Sequence, residues 1–191
     1  MDQDYLSDTT FDGTTIKTHR FARGVYESCR FTGCDMTGQD FSGCTFIDCE
    51  FTDCNLSLVP LNATIFRDVA FSKNKMLGLH FENCDRFGLS VSFSHCLLDH
   101  SSFYQAVLKK TVFRDTRLVE VDFSGGDLSG AVFDDCDLSG ATFSRTNLEK
   151  ADLRSASGYT IDPETNSLKK AKFSLSGIPG LLCKYDLTIE A

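Results

Sequence analysis

The stretch "CTFIDCEFTDCNL", residues 44–56, places Cys44, Cys49 and Cys54 five residues apart. Phe46, Phe51 and Leu56 interleave with them at the same interval. Cysteines this close invite a metal site, a disulfide or a nucleophile. A second series locked to the same interval asks instead what sets a period of five. A helix repeats every ~3.6 residues and a strand every ~2. Five fits neither. It fits a coil in which five residues make one side and one corner, with one large residue pointing inward from each side.

The period extends in both directions. Counted from Phe11, the central residues are Ile16, Phe21, Tyr26, Phe31, Met36, Phe41, Phe46, Phe51, Leu56, Leu61, Phe66, Phe71, Met76 and Phe81. The register slips by two residues within "FENCDRFGLSVSF", 81–93. It resumes at Phe93, Leu98, Phe103, Leu108, Phe113, Leu118, Phe123, Leu128, Phe133, Leu138, Phe143, Leu148 and Leu153, and Leu168, Phe173 and Ile178 keep it in the tail. Sixteen of the 17 phenylalanines are central, and only Phe87, inside the slip, is not. Arg86 stands where the first register asks for a centre.

A second slot lies two residues before most centres and holds small residues. Eight of the nine cysteines fall in it, counting Cys84 at the slip, alongside alanines, threonines, serines and valines such as Ala131, Thr64, Ser101 and Val121. Gln39, Asn74 and Leu79 are exceptions. Cysteine that exchanges with such residues reads as a small buried hydrophobe. The redox or metal alternative is weaker, because zinc needs converging ligands and each five-residue step moves to a new side.

"GCDMTGQDFSGCTF" (33–46) and "GGDLSGAVFDDCDLSGATFSRTNLEKADL" (125–153) resemble the pentapeptide-repeat proteins, whose pattern is roughly A(D/N)LxX. The match runs through residues 9–156. It implies an all-β chain forming a right-handed quadrilateral β-helix with inward Phe or Leu. Four sides per coil would stack residues twenty apart, ~4.8 Å from one another. Phe93, Phe113 and Phe133 then make one column and Phe103, Phe123 and Phe143 the opposite one. Leu98, Leu118 and Leu138, and Leu108, Leu128 and Leu148, fill the other two. Cys29 would lie under Cys49 and Cys34 under Cys54, within disulfide reach; the expected compartment argues for free thiols, and cross-linking is open only to oxidised samples. The count from Phe11 to Leu153 gives seven coils, ~34 Å in length.

The 191 residues suit one solenoid body, residues 1–157 with the slip at 82–92, followed by a C-terminal segment, 158–191. Solenoid ends need caps, and the segment before Phe11 and the tail are the candidates. In the tail, Ile178, Leu181, Leu182 and Tyr185 stand at helical spacing behind Pro179, which suits a first helical turn. This short helix, with Leu187 beyond it, reads as a cap on the last coil, as a homodimer contact, or both. The resemblance favours the dimer, because Qnr-like and MfpA-like members join at their C-terminal ends. The large projecting loops of Qnr proteins are absent here. The slip reads either as a tolerated insertion or as a partner-binding bulge.

The formal charge of −8 argues against direct binding to nucleic acid or to an anionic membrane. No stretch approaches the ~18 apolar residues of a membrane span, and "MDQDYLSDTTFDG" lacks the features of a signal peptide. The expected compartment is the cytoplasm, where thiols stay reduced. No catalytic, cofactor or metal constellation stands out. "SFSHCLLDHSS" (92–102) gathers Ser, His, Cys and Asp, but Cys96 is a core slot and a closed coil offers no cleft. The expectation is that the chain is not an enzyme.

The outward positions carry two acidic bands. Residues 31–66 hold five carboxylates and residues 118–144 six, and neither stretch holds a lysine or arginine. The resemblance implies a DNA mimic that binds a type II topoisomerase (DNA gyrase), since characterised family members do so and some protect the enzyme from quinolones or a toxin. The candidate contact residues are Asp122, Asp127, Asp134, Asp135 and Asp137. The alternative is a non-catalytic interaction scaffold with another partner. Duplex DNA carries about 20 charges over ~34 Å, so the mimicry can be only partial.

Overall fold

The computed structural model describes residues 4–18, 22–85, 87 and 89–188. The expected centre Phe21 and the slip residue Arg86 lie outside them, as does His19. The chain forms one parallel β-solenoid with four faces. Short strands supply the rungs: β1 (Asp4–Ser7), β2 (Thr10–Asp12), β3 (Gly24–Glu27), β4 (Arg30–Thr32), β5 (Thr45–Ile47), β6 (Glu50–Thr52), β7 (Ile65–Ser72), β8 (Leu89–Ser94), β9 (Val112–Arg114) and β10 (Val132–Asp134). Phe31 pairs with Phe51, Phe51 with Phe71 and Phe113 with Phe133, each twenty residues on. Isolated parallel bridges carry the other sides, as in Asp35–Asn55 and Asp122–Thr142.

The first face carries Phe11, Phe31, Phe51, Phe71, Phe93, Phe113 and Phe133. The second carries Met36, Leu56, Met76, Leu98, Leu118 and Leu138. The third carries Phe41, Leu61, Phe81, Phe103, Phe123 and Phe143. The fourth carries Tyr26, Phe46, Phe66, Leu108, Leu128 and Leu148. All of these side chains are buried. The expected columns form as opposed ring stacks. Phe93–Phe113 and Phe113–Phe133 stack at 5.2 and 5.0 Å, and Phe103–Phe123 and Phe123–Phe143 at 5.4 and 5.3 Å. Across the core Phe113 and Phe123 meet edge to face at 6.1 Å, the geometry that ring quadrupoles favour. In the first half the aromatic columns occupy neighbouring faces, and Phe46 meets Phe51 edge to face at 5.4 Å. Phe81 makes the hand-over, stacking on Phe103 at 4.4 Å and meeting Phe93 edge to face at 5.8 Å.

Two features extend the seven-coil count. The segment before Phe11 is itself a rung, because β1 pairs with β3 and sets Leu6 beneath Tyr26. At the other end Asn147 bridges Ser167 and Asp152 bridges Lys172. In the first turn, Ile16 is buried from a short helix, α1 (Thr15–Thr18), whose start is held by the Asp12 carboxylate accepting from the Thr14 and Thr15 amides at 2.9 and 2.8 Å.

The slip is a local repair of the fourth face. Phe66 pairs with Leu89 and Val69 with Val91, so the stacking interval rises from 20 to 23 and settles at 22. Leu89 takes the position that the first register assigns to Arg86. The chain reaches it through a 3₁₀ turn, Phe81–Asn83, and leaves Phe87 fully exposed.

The small slot does more than save space. Eight cysteines are buried in it and only Cys183 is exposed. Each coil leaves backbone carbonyls at its corners, and slot side chains donate to them. The Cys54 thiol reaches Phe31 O and Thr52 O, both at 3.3 Å, Thr64 Oγ1 reaches Phe41 O at 2.8 Å, and Thr146 Oγ1 reaches Phe123 O at 3.0 Å. Asn74, irregular by size, fits by function. Its amide donates to Phe51 O at 2.8 Å and its carbonyl accepts from Cys54 N at 2.7 Å. Buried polar groups without partners are costly, so the slot selects small hydrogen-bonding side chains.

Two residues after most centres the corner turns through the left-handed region. Asp48 has φ 51°, Leu58 60°, Lys110 59° and Gly130 70°. Glycine and aspartate adopt this conformation readily, which explains their frequency there.

Candidate functional site

The outward carboxylates come in two kinds. Those just before a centre hold the corner. Asp122 Oδ1 accepts from Ser124 N at 2.8 Å, Asp127 Oδ1 from Ser129 N at 3.1 Å, and Asp137 Oδ1 from Ser139 N at 3.0 Å and Ser139 Oγ at 2.6 Å. These are Asx turns, and they account for the aspartate of the repeat. Asp134 and Asp135 follow a centre and make no such turn.

Stacking by twenty brings bases to acids that the linear bands keep apart. Arg114 Nε meets Asp134 Oδ2 at 3.0 Å, and Lys109 Nζ meets Asp127 Oδ2 at 3.2 Å. Burial works against the charge on Asp127, yet Ser129 and Lys109 hold its carboxyl below the usual range. Arg117, one rung below Asp137, is committed to the buried Asp99. Among the described residues, Asp122, Asp135 and Asp137 have no cation within 4 Å. The five candidate residues therefore lie on all four faces, with three unneutralised. The sequence signal existed for Arg114 and Asp134, which stand twenty apart, but not for Lys109 and Asp127, which stand eighteen apart.

Among the described residues, no three metal-ligating side chains converge. His95 pairs with Asp115 at 3.6 Å and His100 with Glu120 at 3.0 Å, each exposed on its own corner, while Cys96 points into the core. Burial pushes the thiol of Cys49 up to about 11 and those of Cys34 and Cys136 up to about 12. Protonated thiols donate to carbonyls and are poor nucleophiles.

The comparisons with known proteins bear on this frame. A family model described as a pentapeptide repeat region matches residues 26–87 and 79–153. The chain belongs to the pentapeptide-repeat family. No curated protein matches. Among solved structures, a trypsin-treated variant of QnrB1, titled a plasmid-mediated fluoroquinolone resistance protein, is 21% identical over 98% of both chains, with a TM-score of 0.48. HetL, titled a pentapeptide repeat protein involved in heterocyst differentiation regulation from the cyanobacterium Nostoc sp. strain PCC 7120, is 16% identical over 91% of this chain and 85% of its own, at 0.36. A pentapeptide repeat protein from the Arabidopsis thaliana thylakoid lumen is 24% identical over 66% and 65%, at 0.24. No helix among the described residues is long and apolar enough to cross a membrane.

At the C-terminal end of this pentapeptide-repeat solenoid, the expected helix is one turn, α2 (Pro179–Leu182), with Pro179 at its start. It tightens into a 3₁₀ turn, Cys183–Tyr185, and stops at Asp186, which is left-handed. Gly180 lies so close to Tyr159 that a side chain there would strike its backbone carbonyl. Leu181 packs on the core and Leu182 is half-buried, whereas Ile178, Tyr185 and Leu187 are exposed, as is Leu175. The cap is latched by Lys184 Nζ, 2.7 Å from both Asp162 and Glu164, and by Tyr185 OH donating to Glu164 at 2.9 Å.

Proposed function

We propose that this chain is a non-catalytic interaction rod that binds a type II topoisomerase, DNA gyrase, in place of part of its DNA segment. The observation that supports this reading is the set of carboxylates without cations, Asp122, Asp135 and Asp137, held within one coil on different faces of a packed core. Charges fixed on a rigid frame lose little freedom on docking. The mimicry is local, because the rung spacing is nearly three times the ~1.7 Å per charge of the duplex. Asp127 and Asp134 contribute less, being neutralised by Lys109 and Arg114. Those same pairs favour the second reading, a scaffold for a different protein. The exposed Ile178, Tyr185 and Leu187, with Leu175, form the surface of a homodimer through the C-terminal segment. The reduced thiols of the core fit a cytoplasmic protein.

Binding of immobilised gyrase across a salt series tests the reading. Salt-sensitive binding that is lost in Asp122→Asn/Asp135→Asn/Asp137→Asn supports it. Undiminished binding by that variant, or none by the wild type, gives the ground to the scaffold reading.

A further inference from the structure

The fourth face, followed from end to end, stacks nine rungs with centres Leu6, Tyr26, Phe46, Phe66, Leu89, Leu108, Leu128, Leu148 and Leu168. The middle rung is Leu89, the one rebuilt by the two-residue insertion. Two residues after the other eight centres lies a single edge of left-handed corners, with φ between 50° and 70°. Below the middle rung this edge reads Asp8, Ser28, Asp48, Asp68. Above it the edge reads Lys110, Gly130, Lys150, Lys170.

This arrangement departs from the neighbouring first face. There, opposite charges pair across rungs in Arg30–Glu50, His95–Asp115 and Arg114–Asp134, although Asp115 and Asp135 also follow one another. Along the fourth-face edge, Asp48 and Asp68 occupy consecutive rungs, as do Lys150 and Lys170, and like charges ~4.8 Å apart repel. Among the described residues, Asp8, Asp48, Asp68, Lys110, Lys150 and Lys170 have no opposite charge within 4 Å. Asp68 only accepts a hydroxyl hydrogen bond from Ser90, at 2.7 Å. Of the charges further in on this face, Glu27 is engaged by Tyr5, Lys109 by Asp127 and Glu149 by Ser167, while Arg67, beside Asp68, and Lys169, beside Lys170, have no opposite charge within 4 Å among the described residues.

Read backwards, the upper half of the edge sets Lys170 against Asp8 and Lys110 against Asp68, with Lys150 opposite Ser28 and Gly130 opposite Asp48. We infer that this edge pairs with a second copy of the chain, antiparallel and side by side, about a two-fold axis that crosses the Leu89 rung. Self-complementary surfaces of this kind are what a two-fold interface requires. Asp8 then faces Lys170 of the second copy, Asp68 faces its Lys110, and Asp48 lies between its Lys110 and Lys150. The apolar side chains cluster at the axis. Ile65, half-exposed, opposes Val107, 46% exposed, with the fully exposed Phe87 alongside, while Leu89 packs inward on the core. Eight spacings of ~4.8 Å make a strip ~38 Å long, narrow for a specific interface, so the pairing is weak and governed by charge. The two C-terminal caps sit at opposite ends of such a pair, so this contact is distinct from the end-to-end one.

The test is sedimentation velocity on the full chain over a salt series, with a charge exchange. The wild type should reach twice the chain mass at low salt, and its dissociation constant should rise about tenfold or more as salt screens the edge. With Ile178→Glu/Tyr185→Glu also present to remove the end-to-end contact, Lys110→Glu/Lys150→Glu/Lys170→Glu and Asp8→Lys/Asp48→Lys/Asp68→Lys should each be monomeric alone, and an equimolar mixture should regain the dimer. Circular dichroism checks that both are folded. In the wild-type dimer, carbodiimide should join Asp68 of one copy to Lys110 of the other. Ile178→Glu/Tyr185→Glu should leave this dimer unchanged. The inference is overturned if the wild type stays monomeric at low salt, if either edge variant dimerises as the wild type does, or if the folded mixture stays monomeric. Capture of duplex DNA by the wild-type lysine edge without self-association would also overturn it.

Discussion

Replacing Asn74 by alanine removes two hydrogen bonds at once from the wall of the solenoid. The side chain is buried, and it bridges Phe51 O at 2.8 Å and Cys54 N at 2.7 Å. Alanine fits the space, as Ala131 and Ala151 do in other slots, so the loss is one of hydrogen bonding and not of volume. Each backbone group left buried and unpaired costs about 1–3 kcal/mol, which gives roughly 2–5 kcal/mol for Asn74→Ala. Asn74→Thr should lose less. Thr64 shows that a threonine in this slot can donate to the carbonyl, and Thr116 Oγ1 lies 3.5 Å from Cys96 N, a weak acceptor. The expected order of stability is Asn, Thr, Ala. Urea unfolding followed by circular dichroism measures it as a shift in midpoint at constant slope. If Asn74→Ala unfolds within about 0.5 kcal/mol of the wild type, the hydrogen-bonding account of the slot is wrong.

Four further outcomes follow from the same geometry. Phe123, fully buried between Phe103 and Phe143, should cost about 3–5 kcal/mol on replacement by alanine, whereas the half-buried Phe173, in ring contact with Tyr159 at 5.8 Å, should cost clearly less by the same urea assay. Burial raises the thiols of Cys34, Cys49 and Cys136, so the folded state favours the protonated form. Their stabilisation is whole below the unfolded thiol pKa of ~8.5 and falls by about 1.4 kcal/mol per thiol per pH unit above it, towards about 11–12. Melting temperature should therefore drop steeply between pH 9 and 11, and Cys34→Thr/Cys136→Thr should flatten the drop. Asp137→Ala should cost about 0.5–1.5 kcal/mol through the lost turn bonds, while Asp137→Asn, which keeps the accepting oxygen, should melt with the wild type. Gly130→Val places a β-branched residue at φ 70° and should cost at least about 1–3 kcal/mol in thermal unfolding.

The coil was legible because one interval governs one inward residue, and Phe113 and Phe123 obey it without local exceptions. The slip was legible as a shift of two, but its outcome was not. Only the ladder shows Leu89 moving into the place opposite Phe66 while Phe87 turns to solvent. Asn74 looked irregular because the slot was judged by size, whereas its hydrogen bonds reach a carbonyl 23 residues earlier. The acidic band over 118–144 looked free of bases because it was read along the chain. Arg114 and Lys109 lie outside that stretch and enter it one rung away. The tail kept helical spacing over Ile178, Leu181, Leu182 and Tyr185, yet the chain turns left-handed at Asp186 after a single α turn and its 3₁₀ extension.

The measurement that bears most directly on the functional account is gyrase supercoiling titrated with the purified protein, with and without a quinolone, at several salt concentrations. The account predicts dose-dependent inhibition, or protection from the drug, that weakens with salt and is lost in the folded variant Asp122→Asn/Asp127→Asn/Asp134→Asn/Asp135→Asn/Asp137→Asn. Supercoiling unchanged at every dose, or an effect that the five-asparagine variant retains in full, would contradict it.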